Sequence, residues 1–299
     1  MNVLATGIIS QAATSLFARM FACLLITAAV LPVAFSIRKD YQDFLSLGPG
    51  GTPQTFRGYL RIKFLGLFAL KDPYAAAIST PAELKCARGC LKELPKRQWP
   101  RPRTRGIAPH RQVEQRASKQ VFYNLAERIK SLAPGKEYDL VIGTSCFEKH
   151  GTGLFSTCPA NQTCRGEVIH VHPSDGSMHM TLHPADANMV LECGWGERHP
   201  LAGVFYDQFL PRGFIMLYAP QNDEEVEVVL RVIRAACWFV CDDNQKGRWS
   251  LAGDGALIEE TAECGAGADG RGNVHQVEDP SRALEKIITK SREAIPLAV

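Results

Sequence analysis

Five of the eight histidines, His170, His172, His179, His183 and His199, fall within thirty residues of one another. The last sits in Gly194-Trp195-Gly196-Glu197-Arg198-His199-Pro200. Imidazole is the side chain that binds metal, accepts a proton or donates one near neutral pH, so any chemistry is expected here. His170 and His172 are two apart, and on a strand that spacing points both to one face while Ile169 and Val171 take the other. Pro173-Ser174-Asp175-Gly176 is a turn signal, which makes 167–172 and 177–182 a β-hairpin. Pairing 172 with 177 sets His170 opposite His179, so three imidazoles converge on one face. His183 shares the parity of His179 but stands before Pro184, where the chain leaves the sheet, and ranks below the others.

Three readings of the cluster stay open on spacing alone. His170, His172 and His179 are candidate ligands for one transition metal with an open position for oxygen chemistry. Alternatively, one histidine removes a substrate proton and others hold the resulting anion, with no metal. The third reading is coincidence of exposed histidines. A cupin-like site also uses two histidines two apart, but it needs a glutamate soon after, and the turn residues stand there instead. Nucleophile-elbow, phosphate-loop and dinucleotide motifs do not occur, so hydrolase, kinase and dehydrogenase readings have no support.

The elements that must position these residues alternate between helix and strand. Val113 to Leu132 keeps helical spacing up to Pro134-Gly135. Strands are expected over 138–142, 153–156, 167–172, 177–182 and 214–218, and helices over 184–191 and after Asn222, with Glu227 and Arg231 forming a surface pair. The expected fold class is α+β: a single domain with a mostly antiparallel sheet covered by helices, preceded by an N-terminal transmembrane helix. The boundaries read as a leader (1–19), a membrane anchor (20–37), a membrane-proximal segment with a Pro/Arg-rich linker (38–112), the α+β domain (113–243), and a flexible tail with a short helix near 281–294 (244–299).

Met20 to Ile37 is uncharged and just long enough to span a bilayer. Ala34-Phe35-Ser36 offers a signal-peptidase alternative, but the leader is long for one. Basic residues after it leave the domain of this single-pass protein facing the cytosol, with an endomembrane as one host. Tyr59 to Leu70 is too short to span and reads as either a membrane-surface segment or a core helix. A net charge of +3 in 299 residues gives no nucleic-acid signature. The ten cysteines show no zinc spacing: Cys86 and Cys90, and Cys237 and Cys241, read as buried hydrophobes. Cys158 and Cys164, around the sequon Asn161-Gln162-Thr163, would bridge in an oxidising compartment.

Glu167-Val168-Ile169-His170-Val171-His172, His179, the run Gly194 to Gly203 and Leu217-Tyr218-Ala219-Pro220-Gln221-Asn222-Asp223-Glu224-Glu225 together resemble the fungal luciferase family and its non-luminous relatives. Arg38-Lys39-Asp40-Tyr41 and Pro53-Gln54-Thr55-Phe56-Arg57-Gly58-Tyr59 are similar as well. The resemblance implies a membrane-associated oxygenase that oxidises a 3-hydroxy-α-pyrone, 3-hydroxyhispidin in luminous fungi, or a related phenolic. Dioxygen is the co-substrate, no cofactor is added, and carbon dioxide leaves from a cyclic peroxide. It implies His170 or His172 as general base and His179 and His199 as holders of the anion. Arg198 would pair with the enolate or carbonyl, Trp195 would offer a flat face to a conjugated ligand, and Tyr218 would add a hydrogen bond. The link between His172 and His179 reads as in the non-luminous members, the segment from Cys158 to Cys164 looks foreign and the tail is longer, so light emission is a separate question from membership. A metal-binding enzyme and a non-catalytic membrane adaptor are the alternatives.

Overall fold

The computed structural model describes residues 2–77, 89–133, 138–160, 163–204, 210–241, 249–251 and 257–259. The expected helix stop at Pro134-Gly135, Cys86, Asn161 and Gln162 of the sequon, and the expected helix over 281–294 lie outside them. The chain divides into two compact units, Met1–Ser46 and Leu47–Val299, where a single domain after the anchor was expected at other boundaries. The first unit is helix α1 (Asn2–Ser46). Its stretch Ala18–Ser46 holds an 18-residue window of mean hydropathy 2.4 and is long and apolar enough to cross a bilayer, a property that signal sequences share.

The second unit is α+β. After α2 (Phe56–Gly66) come a hairpin of β1 (Thr104–Gly106) and β2 (His110–Gln112), then α3 (Lys119–Lys130), β3 (Leu140–Thr144), β4 (Thr152–Ser156), β5 (Glu167–Val171), β6 (Met178–Thr181), α4 (Pro184–Glu192), β7 (Gly196–Arg198), β8 (Phe214–Leu217) and α5 (Asp223–Cys241). A last antiparallel pair, β9 (Trp249–Leu251) and β10 (Leu257–Glu259), falls inside the segment read as a flexible tail. Strands β3 to β8 form one antiparallel sheet in the order β3-β4-β5-β6-β8-β7.

Strand alternation gives this sheet two different faces. Ile169, Met178, Met180, Ile215 and Leu217 point to one side and pack with Val226, Val229, Leu230 and Ile233 of α5. Each such buried aliphatic side chain contributes roughly 1.5–3 kcal/mol over its exposed state. His170, His179 and Phe214 point to the other side and border a cavity. The hairpin register is the expected one, with His170 paired to His179. Gly176 closes the turn at φ +83°, where a Cβ would be strained.

Local signals explain the helix ends. Asn222 caps α5 by accepting the amide of Glu225 at 2.8 Å. Ser118 caps α3, so that helix starts six residues later than its apolar spacing suggests, and the amide of Val113 is taken by the carbonyl of Arg103 instead. Glu227, expected to face Arg231 on its own helix, meets Arg128 of α3 at 2.7 Å and so ties the two helices together.

The Pro/Arg-rich stretch is no linker. It is built into the second unit: Arg97, His110, Arg111 and Gln112 are buried, and Arg101 stacks on the ring of Tyr74 at 4.1 Å. Proline density excluded a long strand but not a three-residue hairpin. Gly106 makes its turn at φ +82°, and a Cβ there would stand 2.2 Å from the carbonyl oxygen of Pro109. Cys164 is bridged to Cys146, not to Cys158, which is exposed and reduced.

Candidate functional site

The cavity, about 430 Å³, is of the size that holds a small organic ligand. His110, His170, His179 and His199 line it, with Phe147, Glu148 and Phe214 beside them and Ile62, Leu65 and Leu201 among the apolar walls. His179 is the hub: its ring centre lies 5.2 Å from that of His170, 4.7 Å from His172, 5.4 Å from His110 and 5.3 Å from His199. Phe214 stacks on it at 5.4 Å.

A bulge builds one end of the set. Gly153 pairs with His170 and Leu154 with Ile169, but Phe155 pairs with Glu167, so Val168 is the extra residue. The bulge reverses the parity of what precedes it. Glu167 is therefore aimed to the histidine face, three positions from His170, where simple alternation would send it to the core. Its carboxylate contacts Nδ1 of His170 at 2.6 Å and accepts from the Ser145 hydroxyl at 2.8 Å and the Cys146 amide at 2.5 Å.

From there the hydrogen bonds run in series. Nε2 of His170 meets Nδ1 of His179 at 3.2 Å, Nε2 of His179 meets Nδ1 of His110 at 3.3 Å, and Nε2 of His110 meets Glu197 at 3.0 Å. Glu197 in turn accepts from the hydroxyls of Thr104 at 2.7 Å and Tyr218 at 2.9 Å. Burial alone would raise the pKa of Glu197, but its hydrogen bond to and attraction by His110, with those hydroxyls, outweigh it and hold the carboxyl below its ordinary range. Three imidazoles are thus strung between two buried carboxylates.

The four links from Glu167 to Glu197 need four protons, while three neutral rings carry three, so one link stays open to an incoming proton while the rings are neutral. Burial, and then the neighbouring rings, pushes His179 well below the usual histidine range.

The other candidates are placed differently. His172 is fully buried behind the cavity lining, its Nδ1 on the Ser177 hydroxyl at 2.9 Å, and that hydroxyl donates to Asp175. Burial and then the nearby Arg111 push it well below its usual range, and its Nε2 has no hydrogen-bond partner. His199 lines the cavity, but its Nε2 donates to the carbonyl of Ile107 at 2.8 Å and its Nδ1 accepts the amide of Leu201 at 3.1 Å. Both its nitrogens are engaged by backbone, which fixes a neutral tautomer and makes it a wall. Burial, then His110, lowers its pKa far below normal. His183 caps α4 and packs its ring on Phe239 at 5.7 Å, on the α5 side of the sheet.

None of the three residues expected to touch a ligand lines the cavity. Trp195 belongs to the core and donates its indole N–H to the carbonyl of Pro95 at 2.5 Å. Arg198 pairs in register with Ile215, so alternation sends it away from the histidine face, and its guanidinium donates to the carbonyl of Ala202 at 3.0 Å. Tyr218 reaches the site only through Glu197, its phenol pushed above its ordinary pKa by burial and then by that carboxylate. Glu197, between Trp195 and Arg198 in sequence, is the member of that run that faces the histidines.

The family model described as Luciferase domain matches residues 165–236. The chain is 32% identical to the luciferase of Neonothopanus nambi over 238 residues, which cover 73% of this chain and 85% of that one. Identity to the luciferase of Armillaria mellea is 32% (74% and 87% covered), and to that of Armillaria ostoyae 33% (72% and 86% covered). The chain belongs to the fungal luciferase family. No solved structure gives a significant match. The matched luciferase domain holds Glu167, His170, His172, His179, Glu197 and His199. His110 lies upstream of it, so in this luciferase-family chain the β1–β2 hairpin supplies the site's remaining imidazole from outside the domain match.

Proposed function

We propose that the protein is an oxygenase that deprotonates an acidic enol, a 3-hydroxy-α-pyrone or a related phenolic, and lets the enolate react with dioxygen in the cavity without an added cofactor. The observation that carries this is the chain Glu167-His170-His179-His110-Glu197 bordering a chamber with Ile62, Leu65, Phe147, Leu201 and Phe214 among its walls. Its inner links, at 3.2 and 3.3 Å, are long, whereas Glu167 holds His170 at 2.6 Å. A substrate hydroxyl therefore competes for the imidazoles and leaves the carboxylate contact intact. His170 accepts the enol proton at Nε2, and Glu167 offsets the charge that forms on its ring. His179 and His110 carry that proton on towards Glu197.

The chemistry balances without an external reductant. The enolate carbon forms a bond to one oxygen of dioxygen, and the peroxide formed attacks the lactone carbonyl, breaking the ring C–O bond so that the ring oxygen leaves as an enolate and takes up the proton held by His170. O–O and C–C bonds then break with loss of carbon dioxide, the ring carbons supplying the electrons that reduce the oxygen. The apolar walls, Phe147 and Phe214 among them, limit water at that stage. Light emission requires in addition that the product be formed excited. α1 is assigned as a membrane anchor in this reading. The discriminating experiment compares His170→Ala with Trp195→Phe, using 3-hydroxyhispidin as probe: oxygen uptake is lost in the first and kept in the second. Equal loss in both, with both folded, refutes a base at His170.

One observation favours a second reading, a metal-dependent enzyme. His170, His172 and His179 each offer a nitrogen within 4.8 Å of the others, and the bare, buried Nε2 of His172 is the atom a metal would use. Glu167 and the Ser177–Asp175 pair would then orient two of the ligands. A transition metal there would polarise substrate or dioxygen. Elemental analysis of protein purified without chelator separates the readings, with below about a tenth of an equivalent per chain counting against the metal.

A further inference from the structure

We infer that α2 lies in the interfacial layer of a lipid bilayer, its outer face against acyl chains and its inner face walling the cavity. This goes beyond the oxygenase reading and does not depend on it. α2 is apolar on two sides. Inward, Ile62 and Leu65 are buried and line the cavity. Outward, Phe56, Leu60 and Phe64 recur every fourth residue at 50%, 52% and 41% exposure, and Leu67 and Phe68 continue the row at 77% and 45%. Residues four apart on a helix are neighbours, so these five side chains form one continuous strip. A soluble surface seldom leaves so many large apolar groups side by side.

The charges around the strip say what covers it. Arg57, Arg61 and Lys63 are the only ionisable side chains of fixed charge between Thr55 and Leu70, and that segment holds no aspartate or glutamate. Arg57 and Lys63 are exposed. A helix whose apolar strip is flanked along its own length by cations complements anionic headgroups above acyl chains. Position along the chain agrees, because α2 begins ten residues after the end of α1, whose hydropathy is that of a span. The amphipathic segment is held as a helix by Thr55, whose hydroxyl accepts the amide of Gly58 at 3.1 Å. A substrate dissolved in the bilayer would then have only this helix between it and the histidines.

The test uses the full-length chain in vesicles of phosphatidylcholine and phosphatidylserine, with benzoylphenylalanine in place of Phe64 or, as control, of Tyr123. Tyr123 is 64% exposed, more than Phe64, so indiscriminate contact would label it at least as well. On illumination, position 64 gives a phospholipid adduct by mass and position 123 does not. Arg57→Glu with Lys63→Glu lowers the adduct at 64 by at least about twenty-fivefold, since each cation near an anionic surface counts for about fivefold and both are lost. Adduct at 64 no greater than at 123, or adduct to protein in place of lipid, overturns the inference. Because labelling needs no turnover, an inactive protein that still labels lipid leaves it standing, and an active one that does not label lipid removes it alone.

Discussion

Replacing Glu167 by glutamine changes a charge and little else in shape. The carboxylate serves four donors: the Ser145 hydroxyl at 2.8 Å, the amides of Cys146 and Phe147 at 2.5 and 3.4 Å, and Nδ1 of His170 at 2.6 Å. The single oxygen of a glutamine stays with the two backbone amides, which have no other acceptor there, and this turns its NH2 group towards His170. Two donors cannot face each other, so the imidazole adopts the other tautomer, with a bare Nδ1 against the amide and a proton on Nε2 where a base needs a lone pair. The same type of change in a Ser-His-Asp triad costs about 10⁴ in kcat, and loss of general-base catalysis costs about 10²–10⁴, so a fall of that order is expected in oxygen uptake with 3-hydroxyhispidin. KM should move by less than about threefold, because the glutamine does not touch the ligand. Thermal melting by circular dichroism checks that the variant is folded. A folded variant whose kcat stays within about threefold of the parent refutes His170 as the base.

Three further outcomes are expected. Trp195→Phe leaves kcat unchanged, since the indole is in the core, but destabilises by roughly 1–3 kcal/mol by leaving the Pro95 carbonyl unpaired; a large kcat loss at unchanged stability would return Trp195 to the site. Stability should rise with pH about one unit below the ordinary histidine pKa of about 6.5, where an exposed imidazole is almost fully protonated. His172, His179 and His199 have depressed values and take up protons on unfolding, whereas Asp186, pushed up to about 7 by burial against the opposing pull of the Leu91 and Cys90 amides, releases one. The net of two protons gives a slope of about 2.7 kcal/mol per pH unit in denaturant titrations, and a slope of the opposite sign contradicts these burials. Alkylation of protein taken from cells should find Cys146 and Cys164 bridged, as in an oxidising compartment; two free thiols would restore the cytosolic orientation that the basic residues after α1 suggest.

The hairpin was readable because its evidence is local. A strong turn signal and a period of two fix which histidines share a face, and no distant contact overrides them. Glu167 was hidden by the same rule: with Val168 as an extra residue, parity misplaces everything before it, and a bulge leaves no mark in these residue types. Glu197 stood in plain view, yet β7 is only three residues long, too short for alternation to be read, so the neighbouring Trp195 and Arg198 drew attention through their side-chain chemistry. His110 lay in a stretch whose prolines argued for an exposed arm. What buries it is its contact with Glu197, 87 residues away, and separation of that kind is invisible to a window along the chain. The signal that could have found it is compositional: a histidine, an arginine and a glutamine in a row bracketed by proline and valine.

The most direct test of the central claim is dioxygen consumption by the purified full-length protein, freed of metal by chelation and supplied with 3-hydroxyhispidin. The account predicts uptake of one dioxygen per carbon dioxide released, undiminished by the chelator and abolished in His170→Ala. Loss of uptake on chelation with recovery on adding a transition metal would contradict the cofactor-independent chemistry, and no uptake by the folded protein under any of these conditions would contradict the assignment of this substrate class.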